Sequence, residues 1–289
     1  MSTAKPQAVL RVIGSDRSGL VADVANLLFR LGANILHADD HIDAEAGLFF
    51  QRVEFAFDGE LDAAERERLG AQVSRTCEQW SMRSSLRFVD TPRRVALLTS
   101  KHPHCTLDLL ARHRAGELRC EIPIVLSNHA DLHEEVTRRG YRYAHEPIVG
   151  GDKRDQEQRL AAHLEAEQID LVVLARYMQI LTADFVRPYA ERILNIHHSF
   201  LPAFAGAEPY KQAYRRGVKV IGATSHFVTA DLDEGPIVWQ DVTRVSHRDS
   251  VPDLVRKGRD LERVVLANAV RCFLEDRIIA YGNKTVVFD

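Results

Sequence analysis

Residues 170–197 read DLVVLARYMQILTADFVRPYAERILNIH: two short apolar runs, LVVLA and ILNIH, on either side of a longer polar segment. Short apolar runs bounded by turn-forming residues read as buried strands, and a helix-length connection between two of them makes the strands parallel. The alternation extends upstream through RRVALLTS (93–100), CEIPIVLS (120–127) and YAHEPIV (143–149), with helical stretches between. Five such runs predict a mostly parallel sheet covered by helices on both faces, a Rossmann-like α/β domain. Downstream, VKVIGATSHFV (218–228) and PIVWQDVTRV (236–245) sit close together and predict an antiparallel hairpin. A last helix is expected from about Ser250 to Leu274, rich in Leu, Val, Arg and Glu.

The N-terminal ninety or so residues have a different rhythm. QAVLRVIG (7–14) predicts a strand, and the segment after it has apolar residues at Leu20, Val21, Val24, Leu27, Leu28 and Leu31, stopped by Gly32. That spacing is helical. NILHADDHID and LFFQRVEFAFD alternate apolar and polar residues as two paired strands around the turn AEAG. A helix over roughly Asp62–Trp80 and a strand at MRSSLRFVD complete the order βαββαβ, the ferredoxin-like split unit. Pro92, within DTPRR, marks the boundary, so the expected domains are 1–90 and 91–289.

Composition excludes several classes. Of 289 residues, 45% are hydrophobic and 27% charged, which supports a sizeable core and argues against disorder. The formal charge is −3 with no long run of one sign, so neither nucleic acid nor a membrane surface is favoured electrostatically. The opening residues MSTAKPQAVL lack a signal-peptide pattern, and no apolar stretch approaches the roughly twenty residues needed to span a bilayer. Cys77, Cys105, Cys120 and Cys272 are scattered, without CxxC or zinc-site spacing, as expected of free thiols in a cytoplasmic protein.

The chemistry concentrates in ILNIHHSFLPAFAGAEPYKQAYRRGVKVIGATSHFVTADLDEGPIV (193–238). Residues two apart on a strand share a face, so Asn195 and His197 project together, as do Thr224 and His226 on the next strand. A polar turn with Asp231, Asp233 and Gly235 follows. If the hairpin packs on the sheet edge, an amide, an imidazole and a carboxylate converge. Acyl transfer from a formamide needs those types: a donor for the oxyanion, and a group that takes and returns protons near neutrality.

The pattern NIHxSxLPxFxG, followed downstream by HFVxxxLDxGP, resembles the folate-dependent formyltransferase family. The resemblance implies Asn195 as oxyanion donor, His197 as general acid/base and Asp233 as the carboxylate that holds water and sets the histidine's charge. Thr224 and His226 would be supports. In that family the segment LVVLARYMQIL (171–181) lines the folate pocket, which here implicates Arg176, Tyr177, Met178 and Leu181. A planar pterin edge suits backbone N–H and C=O groups there, although some of these side chains can equally be core.

One loop discriminates within the family. Where ribonucleotide-using relatives carry a glycine-rich phosphate loop, this chain reads TSKHPHCTLDLL (99–110), without glycine. Ser100, Lys101, His104 and Cys105 form a pattern SKxxHC similar to that of the formyltetrahydrofolate deformylases, in which water replaces the amine acceptor. RHRAGELRCEIPIVLSNH (112–129) extends the likeness. DRSGLVADVANLL with AGLFFQRVEF resembles an ACT domain, a module that commonly binds amino acids and pairs with a second copy. That implies a dimer or tetramer, and an amino-acid effector near Asp16, Gly19 and Leu20.

The expected reaction is therefore hydrolysis of 10-formyltetrahydrofolate to tetrahydrofolate and formate, with no tightly bound cofactor and no metal. Cys105 as nucleophile is disfavoured, because transfer to water needs no covalent step. Lys211, Glu208 and Thr106 depart from the family pattern. The alternatives are transfer of formyl to an amine, which the missing glycines oppose, and a non-catalytic sensor, which the intact trio opposes.

Overall fold

The computed structural model describes residues 5–203 and 208–289; Gly206, placed by the sequence in the loop after Pro202, lies outside them. The chain divides into two units. In the first, β1 (Gln7–Ser15), α1 (Leu20–Arg30), β2 (Ala33–Asp43), β3 (Leu48–Phe57), α2 (Ala63–Gln79) and β4 (Met82–Phe88) follow the expected order βαββαβ. The strands form one sheet in the order β2-β3-β1-β4, and every pair is antiparallel. Leu10, Phe55, Val24, Leu28, Val73 and Cys77 from strands and helices make its core.

Helix boundaries follow from caps. Asp62 accepts from the Glu65 N–H while the Glu65 carboxylate accepts from the Asp62 N–H, a capping box that starts α2 one residue inside the expected segment. Gly19 precedes α1 at φ 92°, a left-handed turn that a side chain would strain.

The first unit runs to Pro92 and also takes in Asp276–Ile279 and Val286–Asp289. The buried Asp276 carboxylate meets Arg87 and, at 3.6 Å, Arg11, while Arg52 Nε donates to its carbonyl at 3.0 Å. A single cut at residue 90 does not contain this return. A late segment that returns to an earlier unit leaves no local compositional mark.

In the second unit, β5 (Arg93–Thr99), α3 (His104–Arg114), β6 (Cys120–Ser127), α4 (His133–Arg138) and β7 (Tyr143–His145) build one half of a sheet. Then α5 (Lys153–Ala166), β8 (Leu171–Ala175), α6 (Ala183–Val186) and β9 (Ile193–His197) build the other. α7 (Pro209–Arg216), β10 (Val220–Phe227), β11 (Ile237–Arg244) and α8 (Val251–Leu274) complete it. The strand order is β11-β10-β9-β8-β5-β6-β7; the last five are parallel, and β10 and β11 are antiparallel additions. The run YAHEPIV yields only a three-residue strand, since Pro147 cannot donate to a ladder. A closing pair, β12 (Ile278–Tyr281) and β13 (Lys284–Val287), had no periodicity long enough to predict it.

After β7 the chain returns to the other side of β5, so β5 and β8 flank a topological switch point. Ligands of open α/β sheets bind outside the carboxyl ends of the strands there. The loops after Thr99 and Ala175 leave those ends side by side, the two residues being partners in the ladder. No helix among the described residues is long and apolar enough to cross a membrane.

Candidate active site

A cavity of about 430 Å³ opens at this end of the sheet, within the size range of small-molecule sites. Arg176, Tyr177, Met178 and Leu181 line one wall, Asn195 and His197 the floor, and the loop through Asp233 the other wall. The ladder between β9 and β10 sets Thr224 opposite His197 and His226 opposite Asn195, so the expected convergence on one face is present.

Asp233 sits at φ 58°, a left-handed conformation for a residue with a side chain. Its turn is pressed against β10: a Cβ on Gly235 would lie 1.8 Å from the Phe227 carbonyl oxygen, so only glycine allows this approach. Held there, Asp233 Oδ1 lies 3.3 Å from His197 Nδ1. The hydrogen bond from His197 holds the Asp233 carboxyl below its ordinary range, against the opposing effect of burial. With Nδ1 turned to Asp233, His197 Nε2 is buried beside the cavity and has no hydrogen-bond partner among the described residues.

His226 Nδ1 lies 2.9 Å from the Phe227 carbonyl, which can only accept, so Nδ1 carries the hydrogen. Burial pushes the ring's pKa down and keeps it neutral, which leaves Nε2 as a lone pair. That lone pair accepts from Asn195 Nδ2 at 3.2 Å. Asp233 Oδ1, 3.7 Å from the same nitrogen, is thus a neighbour and not a hydrogen-bond partner. The result orients the Asn195 amide, with its second hydrogen available to a ligand. Thr224 donates to the Ser199 carbonyl at 2.9 Å and accepts from Leu201 N–H and Gln240 Nε2, bracing the chain after His198.

The pocket segment splits into two kinds of residue. Tyr177 and Leu181 line the cavity and also belong to a core cluster with Leu174 and Phe185. Met178 is 53% exposed at the rim. Its N–H donates to Ser100 Oγ at 3.0 Å, and Ser100 Oγ donates to Asn128 Oδ1 at 2.7 Å, so Ser100 ties the two loops together. Lys101 is exposed and does not line the cavity.

His104 and Cys105 stand apart from the trio, against Glu262 of α8. Glu262 is 1% exposed and lies 2.8 Å from His104 Nε2 and 3.6 Å from Arg176 Nε; Tyr210 of α7 donates to it at 2.6 Å. These partners keep the carboxyl below its ordinary range although burial opposes it. Ligand atoms of His104, Cys105 and Glu262 lie within 4.8 Å of one another. Burial raises the Cys105 thiol well above its usual value, which disfavours the thiolate needed for nucleophilic attack. The Glu262 oxygens are already shared between a histidine and a phenol.

Sequence reasoning missed His198. Its ring stacks on His197 at 5.2 Å between centroids and 27° between planes, and Tyr210 lies 6.0 Å away on the other contact. Burial, then the charge of Arg176, pulls its pKa down to about 4, so it is neutral near pH 7. The HH pair was visible in the sequence, but residue 198 lies past the strand's alternation. Glu262 was invisible, being one of several glutamates in a long helix. Of the departures noted in the sequence, Glu208 pairs with Lys211 and Thr106 donates to Thr99 at 2.9 Å.

In the first unit, Asp16 N–H donates to the Gly47 carbonyl at 2.9 Å, and Leu20 is buried in the core, while Asp16 and Gly19 lie in a turn exposed from residue 15 to 19.

Comparison with known proteins agrees with this architecture. Residues 93–270 match the model of the formyl transferase family. A formyltetrahydrofolate deformylase of Synechocystis sp. is 52% identical over 281 residues, covering 97% of this chain and 98% of the relative. The crystal structure of a formyltetrahydrofolate deformylase from Pseudomonas syringae pv. tomato superposes with TM-score 0.94 at 43% identity, covering 100% of this chain and 96% of that one. Glycinamide ribonucleotide transformylase 1 from Symbiobacterium toebii superposes with TM-score 0.67 at 35% identity, covering 71% of this chain and 98% of its own. Near full-length agreement with the first two, in both the four-stranded and the seven-stranded sheet, places the chain in the formyltetrahydrofolate deformylase family of hydrolases.

Proposed function

We propose that this chain hydrolyses 10-formyltetrahydrofolate to tetrahydrofolate and formate through Asn195, His197 and Asp233. The observation that carries this reading is their convergence: an oriented amide, an imidazole with an open Nε2 and an ionised carboxylate at one end of a single cavity. The pterin lies along the loop from Arg176 to Leu181, and the formyl group faces the trio. A water held by Asp233 adds to the formyl carbon, forming a C–O bond and passing a proton to the Asp233–His197 pair. Asn195 Nδ2–H and His197 stabilise the oxyanion. The C–N bond then breaks as the leaving nitrogen takes a proton from His197 Nε2, and the formic acid formed gives its remaining proton to solvent and departs as formate. These residues supply each proton and charge, so the reaction as written needs no resident cofactor.

Formate release from 10-formyltetrahydrofolate, measured with and without glycinamide ribonucleotide, tests the reading. Turnover with water alone is the expected result; turnover only with the ribonucleotide identifies a transferase, and none in either case makes the chain a binding protein.

The first unit we read as an ACT domain that assembles copies of the chain and binds an amino acid. β2 is an edge strand exposed along nearly its whole length, with Leu36 50% and Ile42 47% exposed, and nearby Phe29 is 78% exposed. A long exposed edge strand that carries apolar side chains among its polar ones is suited to pairing with a second copy. The left-handed Gly19 turn leaves room for an effector, which would alter turnover by binding active and inactive states differently. Free thiols at Cys77, Cys105, Cys120 and Cys272 fit a reducing, cytoplasmic setting.

A further inference from the structure

Glu262 is the most buried carboxylate near the cavity, and the reaction described above does not use it. Its surroundings are built to hold it. Gly258, one turn earlier on the same face of α8, is where the Tyr210 phenol enters: a Cβ there would lie 2.0 Å from the phenol oxygen. Glycine within a helix costs roughly 1 kcal/mol relative to alanine, so its place here serves the close approach. The phenol reaches across that gap to donate to one Glu262 oxygen, and His104 from the start of α3 contacts the other.

Arg176 is the third partner and links this cluster to the trio. It leaves the end of β8 at φ 63°, a left-handed conformation, and its side chain is only 11% exposed. The guanidinium therefore turns away from solvent and toward Glu262. It lies near enough to His198 for its charge to oppose protonation of that ring, and His198 stacks on His197. The loop's backbone has a separate anchor, the bond from Met178 N–H to Ser100. The loop is thus hydrogen-bonded to Ser100 through its main chain and ion-paired at 3.6 Å with Glu262 through the Arg176 side chain.

We propose that Glu262 is a positioning residue for the reaction: it pairs with the Arg176 guanidinium and holds the Tyr210 ring beside His198, so that the stacked His197 presents Nε2 to the formyl group. This rests on the assignment of His197 above. The two anchors then separate kinetically. Ser100 acts on the backbone that faces the folate, so its loss weakens binding. Glu262 acts on the histidine stack, so its loss slows the chemical step.

The test is steady-state deformylation by Glu262→Gln, Glu262→Asp and Ser100→Ala, with circular dichroism and thermal melting as folding controls. Glu262→Gln is expected to lower kcat about 10- to 100-fold with KM within threefold, the signature of an interaction that acts on the chemical step. Glu262→Asp should recover part of the loss, and Ser100→Ala should raise KM with little change in kcat. Should Glu262→Gln fold poorly, the double variant Glu262→Gln/Arg176→Gln removes both buried charges together and restores the fold, and the kcat deficit should persist. Wild-type kcat per folded molecule in Glu262→Gln or in the double variant, or a change confined to KM, overturns the proposal. A wild-type chain that releases no formate overturns the assigned reaction instead.

Discussion

His226 faces Asn195 across the β9–β10 ladder, and its bare Nε2 accepts a hydrogen from the Asn195 amide at 3.2 Å. An amide can flip its oxygen and nitrogen at little intrinsic cost, so this bond decides which end meets the substrate. Asn195→Ala removes the proposed oxyanion donor and should lower kcat on the order of 100- to 1000-fold. His226→Leu leaves the amide in place but free to turn, so a smaller loss, about 10-fold, is expected. Equal losses in the two variants, measured by formate release, would show that His226 has a direct part in the reaction.

Asp233→Asn keeps the shape of the turn while removing the charge that faces His197 Nδ1. The carboxamide can present its NH2 to the ring and invert the hydrogen pattern. We expect kcat to fall on the order of 1000-fold or more with the melting temperature nearly unchanged. Retention of a tenth of wild-type activity would exclude Asp233 from the chemical step.

Acid sensitivity should come in two stages. His198 titrates near 6.5 when unfolded and at about 4 when folded, so on acidification the unfolded state takes up its proton first. Stability is therefore lost as pH falls from 6.5 toward 4, by about 3 kcal/mol if this group acts alone. Asp233 follows the same proton logic at lower pH. Its folded pKa lies below the unfolded 3.8, and its stabilising contribution, present above 3.8, disappears as pH falls through the folded value. Urea unfolding of the wild type and of His198→Gln at pH 7 and pH 5 should show a smaller pH effect in the variant.

Gly258→Ala adds a methyl group where the Tyr210 phenol lies. Overpacking of this kind costs about 1–3 kcal/mol, and the phenol must leave Glu262 to make room. A lower melting temperature is expected, and its partial recovery in Gly258→Ala/Tyr210→Phe would place the clash at the hydroxyl. A melting temperature equal to wild type in the single variant would mean that Tyr210 moves aside freely.

Much of this arrangement is local and was legible. Strand periodicity put Asn195 and His197 on one face, and Thr224 with His226 on another, before the register brought the pairs together. The Ser250 capping box, in which Asp253 answers the cap, starts the last helix where its apolar spacing begins. The glycine-free loop at 99–110 was read as a specificity feature, and the structure adds the Ser100 tie between two loops. Tyr177 and Leu181 kept both of their readings, since each lines the cavity while resting on the core.

What the sequence by itself determined was therefore the order of the longer elements, the change of rhythm near Pro92 and the face that Asn195 and His197 share, because periods of 2 and 3.6 and cap residues are written in neighbouring positions. Only the tertiary structure decided that Glu262 meets His104, Tyr210 and Arg176, that Phe227 selects the His226 tautomer, and that Asp276–Ile279 and Val286–Asp289 return to the first unit. Those contacts join residues far apart in the chain, and no local pattern encodes which buried charge will answer which partner.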